Sequence, residues 1–318
     1  MRKKIVITGA SGGVIGRVLP ALRETYDTVL LDVHETNSAG EIIEGINKID
    51  LVNPDRDSYR RFFTGTDTVI HTAYMFSDRI EKNMRGGREF AHLQLAMNDI
   101  QMAYNVFKTS LEEGVKRVIF FSSNHAADYY EQLIRKGVME SVDEDAVPYS
   151  DGYYGWSKLC EEALGHIFAS AIRERRLELI VLRVGAPRTD LIENVEADNY
   201  YTLRRHFASY LSVNDELQLL KLCVEKEDIK DKNGVPFLLL YATSDNHNRI
   251  WSLRNAVQVL GYKPEDSSYS DFSERAKDLF MKNIDIETRQ RKKGSCNGPA
   301  IFIKNARDHN ETLSHIMT

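Results

Sequence analysis

Long apolar runs, closely spaced cysteines and an excess of basic residues are all missing from this sequence. No apolar run reaches the roughly 20 residues that a membrane-spanning helix needs, and MRKKIVITGA passes from a short basic stretch directly into a strand. We therefore expect neither a signal peptide nor a membrane span. The cysteines, Cys160, Cys223 and Cys296, match no metal-ligand spacing, which predicts packing thiols without disulfides or metal, in the reducing cytoplasm.

The balance of charge limits the classes of partner. The 318 residues contain 42 Lys and Arg against 47 Asp and Glu, which gives a formal net charge of −5. Binding to nucleic acid or to an anionic membrane normally requires a basic face, so we expect neither as the main partner. Small molecules and other subunits remain as candidate partners. With 42% hydrophobic residues, the chain can bury a sizeable core.

Short runs of β-branched and other apolar residues alternate with segments of helical length and periodicity. Such alternation is typical of a parallel sheet covered by helices on both faces. The helical segments span residues 14–24, 89–113 and 152–176, and right-handed crossovers would place them on the two faces. The pattern predicts an α/β fold with a doubly wound parallel sheet of the Rossmann type, whose main strands are residues 4–8, 28–32, 68–73, 117–123, 177–184 and 236–242.

The segment TGASGGVIG, residues 8–16, follows the first strand and opens the first helix. Glycines at such a junction let the backbone turn sharply and let a pyrophosphate approach the N–H groups of the helix. A glycine turn between a strand and a helix is a stronger signal than glycine spacing alone. It predicts a dinucleotide site with contacts from Gly9, Ser11, Gly12, Gly13, Val14, Ile15 and Gly16.

Acidic residues after the next strands indicate which dinucleotide binds. Asp32 ends the second strand, where its carboxylate can accept hydrogen bonds from the adenosine ribose and would repel a 2′-phosphate. This favours NAD over NADP. Asp50 and Leu51 follow a weaker third strand and are candidates for contacts with the adenine, but a surface carboxylate and a core leucine explain them equally well.

Three polar side chains are predicted to meet beside the nicotinamide. Ser123 ends a strand, and Tyr154 and Lys158 lie four residues apart on one face of the helix that begins near YYGWSK. A nearby ammonium group favours the phenolate, which makes the tyrosine a plausible base. The lysine can also hold the nicotinamide ribose, and the serine can position the substrate oxygen. The order of glycine turn, serine and Tyr-x-x-x-Lys predicts a catalytic site.

In these motifs the sequence resembles the extended short-chain dehydrogenases and reductases, also called the NAD-dependent epimerase/dehydratase family. The resemblance covers residues 4 to about 266. It is carried by TGASGGVIG, Asp32, HTA at 71–73, FFSS at 120–123, YYGWSK and LRVG at 182–185. The resemblance implies NAD as the cofactor and adds Ala73 and Asn98 to its predicted contacts.

Within that family the sequence is most similar to the uronate dehydrogenases, which oxidise C1 of a hexuronate with NAD and release a lactone. The similarity is carried by FSSNHAADYY at 121–130, DGYYGWSK at 151–158, residues 204–220 and LGYKPED at 260–266. It implies that Asn124 and His125 contact the sugar and that Arg205 meets an anionic group. The alternatives are that Asn124 and His125 cap the connection and that Arg205 lies on a solvated helix face.

Two differences from the uronate dehydrogenases bear on the substrate. Ala186 stands where those enzymes carry a hydroxyl that helps to hold the carboxylate, and the bulky Tyr74 and Phe76 follow HTA. We predict that Tyr74 and Phe76 line the substrate site together with Ser123. A pocket of this kind could accept another aldose, a sugar phosphate or a different sugar acid.

The chain is predicted to form two regions. Residues 1–185 would be the NAD-binding Rossmann domain, completed by a strand and a helix at about 236–260. Residues 186–235 and 261–318 are richer in polar and charged residues and would form a smaller C-terminal lobe that binds the substrate. The resemblance also implies a homodimer, formed by pairing of the helices at 89–113 and 152–176; packing of all their apolar residues on the sheet is the alternative.

The predicted function is NAD-dependent oxidation of the C1 hydroxyl of a hexuronate or a related aldose. A nucleotide-sugar epimerase or dehydratase would use the same serine, tyrosine and lysine but retain its NAD. Residues 186–200 offer Arg188 and little else to neutralise a diphosphate, which disfavours that alternative. A nucleotide-sensing regulator without turnover is a third possibility, and the intact catalytic residues argue against it.

Overall fold

The computed structural model describes residues 2–75, 87–170, 176–194, 200–231, 233–277 and 281. Its centre is one sheet of seven parallel strands in the order β3-β2-β1-β4-β5-β6-β7. The main predicted strands are all present, so the predicted fold class is confirmed. The strands are β1 (Lys4–Thr8), β2 (Asp27–Asp32), β3 (Ile46–Lys48), β4 (Thr68–His71), β5 (Arg117–Ser123), β6 (Glu178–Val184) and β7 (Phe237–Ala242).

Helices connect the strands and cover the sheet. The helices are α1 (Gly13–Gly16), α2 (Leu19–Thr25), α3 (Gly87–Glu112), α4 (Tyr129–Arg135), α5 (Tyr153–Ser170), α6 (Asp190–Glu193), α7 (Tyr200–Ser209), α8 (Val213–Glu225) and α9 (Ser268–Asp271). A 3₁₀ helix, Asn124–Ala127, directly follows β5. No helix in the described part of the chain is both long and apolar enough to cross a membrane.

The first predicted helix is divided into α1 and α2. Pro20 explains the division, because a proline has no N–H to donate to the carbonyl of Gly16 and its ring would collide with that carbonyl in a continuous helix. Proline is tolerated in the first turn of α2, where the N–H groups have no partner within the helix. The break leaves Arg17 between the two helices, where its guanidinium donates to the Glu216 carboxylate and to the carbonyl of Leu211.

Alternate residues of the strands face opposite sides of the sheet. In β1, Ile5 and Ile7 pack in one apolar layer and Val6 packs in the other, and all three are completely buried. The second layer includes Phe107 from α3 and Ala169 from α5. Because burial of each large aliphatic side chain contributes about 1.5–3 kcal/mol, these layers provide the main stabilisation of the fold.

The strand order places a crevice between β1 and β4. From β1 the chain continues outward to β2 and β3, and it then returns to β4 on the other side of β1. Loops at the carboxyl ends of β1 and β4 therefore diverge, and such switch points are where doubly wound sheets bind ligands. The residues after Thr8 and His71 form this crevice.

The segment after β6 contributes a smaller apolar cluster. Tyr200, Leu203 and Phe207 of α7 pack against Ile192 and Ala276 there. By contrast, α8 packs on the sheet, because its Leu219, Leu220, Cys223 and Val224 join the main apolar layer. The division into a Rossmann domain and a smaller lobe stays a prediction.

Candidate active site

The glycine turn lies against the end of β4. Gly9 has a φ of +70°, and its N–H donates to the carbonyl of Leu31 at 2.9 Å. A Cβ at Gly9 would lie 2.6 Å from Cα and N of Ala73, closer than atoms can approach. Only glycine fits this position, for both its backbone conformation and its lack of a side chain. Two predicted cofactor contacts, Gly9 and Ala73, are thus neighbours in the crevice.

Asp32 fastens the turn from the end of β2. Its Oδ2 accepts hydrogen bonds from the N–H of Ser11 at 2.9 Å and from the Ser11 hydroxyl at 2.8 Å. Its Oδ1 accepts from the N–H of His34 at 3.0 Å. The carboxylate is therefore fixed beside the glycine turn, where the prediction puts the adenosine ribose.

The remaining residues of the turn differ in what they can offer to a ligand. Gly12, Gly13 and Gly16 line a cavity of about 690 Å³. The side chain of Ile15 is completely buried in the core, and Val14 packs partly against it.

Asp50 and Leu51 follow β3. Leu51 is 3% exposed and packs in the core, and its carbonyl accepts from the Asn105 side chain at 2.8 Å. Asp50 is exposed, and its Oδ1 accepts from the N–H of Val52 at 2.9 Å. These contacts favour the structural alternative over direct contact with adenine.

Ser123 and Tyr154 meet at the carboxyl end of β5. The Ser123 hydroxyl is hydrogen-bonded to the Tyr154 phenol. Gly155 makes this approach possible, because a Cβ there would lie 2.0 Å from the carbonyl oxygen of His125. The start of α5 therefore packs directly on the segment after β5 and brings the phenol to the serine.

The ionisation of Tyr154 reflects opposing effects. Burial raises the pKa of the phenol above its usual value, whereas Lys158 and the hydrogen bond from Ser123 lower it. Burial is the largest of these, so the pKa of Tyr154 is raised. Lys158 lowers the pKa of Tyr154, as predicted, but this effect alone does not bring that pKa near neutral pH.

Lys158 is buried on the same face of α5. Its Nζ lies 5.1 Å from the centre of the Phe120 ring and 3.2 Å from Oε2 of Glu161. Burial alone would lower the pKa of Lys158, but Glu161 and Tyr154 raise it above the usual value, so the side chain is an ammonium. The sequence interpretation missed Glu161, although it lies three residues after Lys158 and seven after Tyr154, on the same side of the helix.

Two further buried polar residues lie near this cluster and were also missed. Asp99 on α3 is completely buried, and its Oδ1 accepts from the N–H of Met75. The predicted contact, Asn98, is the preceding residue and is half-buried. His71 at the end of β4 is hydrogen-bonded through Nδ1 to the Thr8 hydroxyl at 2.7 Å. Burial, together with Lys158, lowers the pKa of His71 to about 3, so the imidazole is neutral.

Two of the predicted substrate residues, His125 and Tyr74, lie beside Tyr154. The ring centre of His125 lies 5.6 Å from that of Tyr154, and the ring centre of Tyr74 lies 6.1 Å from it. The Tyr74 side chain is largely exposed. Phe76 lies outside the described residues.

His125 is oriented by an aspartate that the sequence interpretation missed. Its Nδ1 is 2.8 Å from Oδ2 of Asp128, the residue that directly follows the 3₁₀ helix. The other oxygen of Asp128 accepts from the N–H of Asp151 at 3.2 Å. Asp128 therefore joins His125 to the loop that precedes α5.

Arg205 is largely buried and paired with a glutamate. Its Nε donates to both carboxylate oxygens of Glu131 at 2.9 Å, and its side chain is 18% exposed. Asn124 joins this pair when its amide is oriented to satisfy both neighbours: its oxygen accepts from Nη2 of Arg205 at 2.9 Å, and its nitrogen donates to the carbonyl of Val184 at 3.1 Å. Arg205 therefore does not lie on a solvated helix face, which was the alternative interpretation of this residue.

A cavity of about 430 Å³ opens beside these residues. Its lining includes His125 and Gln132 together with three acidic and three basic side chains, Asp128, Glu131, Asp151, Arg135, Lys136 and Arg205. Because the formal charges balance, recognition of an anion there depends on where each charge lies and not on a net positive field.

The segment after β6 is tightly packed. The N–H of Ala186 donates to the carbonyl of Ser209 at 2.6 Å, and Ala186 pairs with Tyr210 as an isolated bridge. Arg188 is exposed and donates to the carboxylate of Asp190. The arginine that could neutralise a diphosphate thus already has an acidic partner.

Comparisons with known proteins agree with the fold and identify the family. The profile described as "NAD dependent epimerase/dehydratase family" matches residues 5–187. A uronate dehydrogenase of Pseudomonas syringae pv. tomato is 29% identical over 83% of this chain and 82% of its own. An L-arabinose 1-dehydrogenase (NAD(P)(+)) of Haloferax volcanii is also 29% identical, over 83% of this chain and 97% of its own. A solved structure of a mutated uronate dehydrogenase superposes with a TM-score of 0.65 at 24% identity, covering 87% of this chain and 86% of that one.

Proposed function

Because the chain belongs to the NAD-dependent epimerase/dehydratase family, we propose that it is an NAD-dependent dehydrogenase that oxidises a hydroxyl group of a sugar or sugar acid. The observation that carries the proposal is the convergence of Ser123, Tyr154 and Lys158 beside the crevice that the glycine turn borders. A regulator that only senses a nucleotide would not need this cluster.

The cofactor is NAD, and the open backbone of the glycine turn and the carboxylate of Asp32 suit a dinucleotide. We propose that the pyrophosphate lies against the backbone of the glycine turn, where Gly12 and Gly13 carry no side chain in its way. Asp32 would accept hydrogen bonds from the adenosine ribose, and Lys158 would hold the nicotinamide ribose. Oxidised NAD supplies a hydride acceptor at this position when bound.

The proposed reaction assigns one task to each catalytic side chain. Ser123 hydrogen-bonds the substrate hydroxyl and fixes its distance from Tyr154. The Tyr154 phenolate accepts the proton of that hydroxyl while the carbon loses its hydride. Lys158 stabilises the phenolate, which burial otherwise disfavours. The products are a carbonyl compound and a reduced nicotinamide.

The proposed substrate is a cyclic hexuronate or a related aldose, oxidised at C1 to a lactone. Two relatives with dehydrogenase names, one for uronates and one for L-arabinose, support this class. Asn124 and His125 are proposed to hold the sugar ring, with Arg205 near its anionic group. The experiment that tests the function is a panel of aldoses, hexuronates and sugar phosphates with NAD, in which NADH absorbance should rise with at least one sugar or sugar acid. A panel without any turnover would contradict it.

Asp32 should make the enzyme prefer NAD, because its carboxylate repels a 2′-phosphate. Asp32→Ser is expected to reduce the ratio of kcat/KM for NAD to that for NADP by roughly 10- to 100-fold, the effect of losing hydrogen bonds to a charged group. Asp27→Asn removes a carboxylate from the opposite end of β2 and should leave the ratio unchanged. A parent protein that used NADP better would contradict this assignment.

Arg205 should matter more for an acidic sugar than for a neutral one. Arg205→Met is expected to lower kcat/KM for glucuronate by an amount that corresponds to a loss of roughly 2–4 kcal/mol in transition-state stabilisation. The decrease in kcat/KM for glucose should be much smaller. The comparison keeps the ring contacts of Asn124 and His125 fixed while only the charge on the sugar changes. Equal losses for both sugars would mean that Arg205 is structural.

Glu131 provides the reciprocal variant for that comparison. Glu131→Gln keeps a hydrogen-bonding side chain beside Arg205 but removes the charge that compensates the guanidinium. We expect this variant to favour glucuronate over glucose more strongly than the parent protein does. Unchanged selectivity in both variants would remove Arg205 from substrate recognition.

The homodimer is proposed to form through the outer faces of α3 and α5. Met102 is buried, and Leu164 and Phe168 pack against the core, as the alternative predicts. However, Met97 and Ile167 are about half exposed, at 48% and 56%. Sedimentation at micromolar concentration is expected to show a dimer, and Ile167→Glu is expected to weaken it. A monomeric parent protein would contradict the proposal. The cytoplasmic location likewise stays a prediction.

A further inference from the structure

A buried carboxylate that the proposed reaction does not use lies beside the catalytic lysine. Glu161 is 1% exposed, and its Oε2 lies 3.2 Å from Nζ of Lys158. Its other oxygen, Oε1, is buried and has no hydrogen-bond partner within the described residues. A buried charged group with an unsatisfied oxygen is costly, so packing alone does not explain a glutamate here.

The sequence aligns this carboxylate with the catalytic residues. Tyr154, Lys158 and Glu161 follow one another at spacings of four and three, so they lie on one side of α5. The Lys158 ammonium is 6.0 Å from the centre of the Tyr154 ring and 3.2 Å from Glu161. One ammonium group therefore interacts with both the phenol and the carboxylate.

A second carboxylate faces the same lysine from α3. Asp99 is completely buried and interacts electrostatically with both Lys158 and Glu161. If both acids were ionised, two negative charges would face a single positive one. Burial, opposed by Lys158 and assisted by Asp99, raises the pKa of Glu161 to about 7. Glu161 thus gains and loses its proton near neutral pH.

Three further ionisable groups lie around this cluster. His71 on β4 is neutral near neutral pH, because its pKa is lowered to about 3. Glu162, the next residue on α5, is bound by both Nε and Nη2 of Arg183 on β6. Half-buried Cys160 stays a thiol, since burial and Glu161 raise its pKa. Glu161 therefore carries a charge that changes near neutral pH, directly beside Lys158.

We propose that Glu161 is a positioning residue for the proposed reaction: it holds the Lys158 ammonium, and its protonation state sets how strongly that ammonium stabilises the Tyr154 phenolate. When Glu161 is protonated, the full charge of Lys158 acts on the phenol. When Glu161 is ionised, it compensates the lysine and raises the pKa of Tyr154. Glu161 and Tyr154 then titrate as a coupled pair, and the Tyr154 phenolate forms at higher pH than it would beside Lys158 alone.

Glu161→Gln tests this inference, because the amide keeps the shape and an oxygen for Lys158 but removes the charge. The phenol is titrated by ultraviolet difference absorbance between each protein and its Tyr154→Phe counterpart, without substrate. We expect the pKa of Tyr154 to fall by roughly 1–2 pH units, the effect of removing one nearby buried charge from a partly polar interior. The rise of kcat/KM with pH should move to lower pH by the same amount.

Two further variants control for structure. Glu24→Gln removes an exposed carboxylate from α2, a different helix from the one that carries Tyr154 and Lys158, and should leave the Tyr154 titration unchanged. Glu161→Leu, a replacement of similar size without charge, should lower the pKa of Tyr154 as Glu161→Gln does, and it provides the test if the amide variant does not fold.

An unchanged pKa of Tyr154 in the folded Glu161 variant would overturn the inference. Reduced turnover with an unchanged pH profile would also overturn it, since that result describes a structural residue. The inference rests on the proposed function, but the phenol titration needs no substrate. A lower pKa without oxidation of any sugar would therefore support the role of Glu161 and count against the proposed function.

Discussion

Replacing Tyr154 with phenylalanine is expected to reduce kcat/KM by roughly 10²–10⁴-fold while NAD binding stays nearly unchanged. The variant loses the phenolic oxygen that is proposed to accept the proton but keeps the ring, which packs beside His125 and Tyr74. The glycine turn and Asp32 are not altered, so the affinity for NAD should be preserved. Initial rates of NADH formation and a fluorescence titration with NAD measure the two properties separately.

Tyr153→Phe is the matched control for this variant. It makes the same chemical change one position earlier on α5, on a different side of the helix. We expect the control to retain most of the activity. Turnover in Tyr154→Phe equal to that of the parent protein would contradict the assignment of Tyr154 as the base.

Lys158→Met is expected to lose activity, affinity for NAD and stability together. The buried ammonium is the cation that Glu161 and Asp99 share, and its removal leaves these carboxylates without it. Removing one partner of a buried ion pair typically costs about 3–5 kcal/mol of unfolding free energy. The loss should be smaller at acid pH, because a carboxyl group whose pKa is raised in the folded state destabilises the fold only as rising pH removes its proton. Urea denaturation of the parent protein and the variant at several pH values measures this loss of unfolding free energy.

A double variant separates the stability effect from the catalytic one. Lys158→Met combined with Glu161→Gln no longer buries the glutamate charge, so it should recover part of the lost stability. It should recover neither turnover nor affinity for NAD, since the group proposed to contact the phenolate and the ribose is still absent. Full affinity for NAD in Lys158→Met would restrict Lys158 to proton chemistry.

The sequence predicted those parts of the fold that depend on local patterns. The runs IVI, VIFF and LIVL are apolar throughout, as strands buried on both faces must be, and they became β1, β5 and β6. The glycine turn was also predictable, because only glycine fits at the +70° φ of Gly9 against Ala73. The division of the first helix was missed, although the missing N–H of Pro20 was readable from the sequence.

The charged residues of the site were harder to predict. Glu161 lies in an amphipathic helix, where a glutamate usually faces solvent, but it is 1% exposed, and α3, which packs against α5, brings Asp99 near it. The partner of Arg205, Glu131, is 74 residues away in the sequence, so no local pattern joins them. Asn98 was chosen over Asp99 from the family resemblance, whereas the burial of each depends on how the helix is rotated on the sheet. Such contacts follow from tertiary packing and not from spacing.

The most direct test of the central claim follows the hydrogen at C1 of the sugar. The protein is incubated with NAD and a sugar or sugar acid that carries deuterium at C1, and the nucleotide and the sugar are analysed by mass spectrometry. The proposed dehydrogenase should release NADH that contains the deuterium, together with a lactone or its hydrolysed acid, in equal amounts. An isomerised sugar that keeps its deuterium, with no release of reduced nucleotide, would contradict the account and indicate an epimerase that retains its NAD.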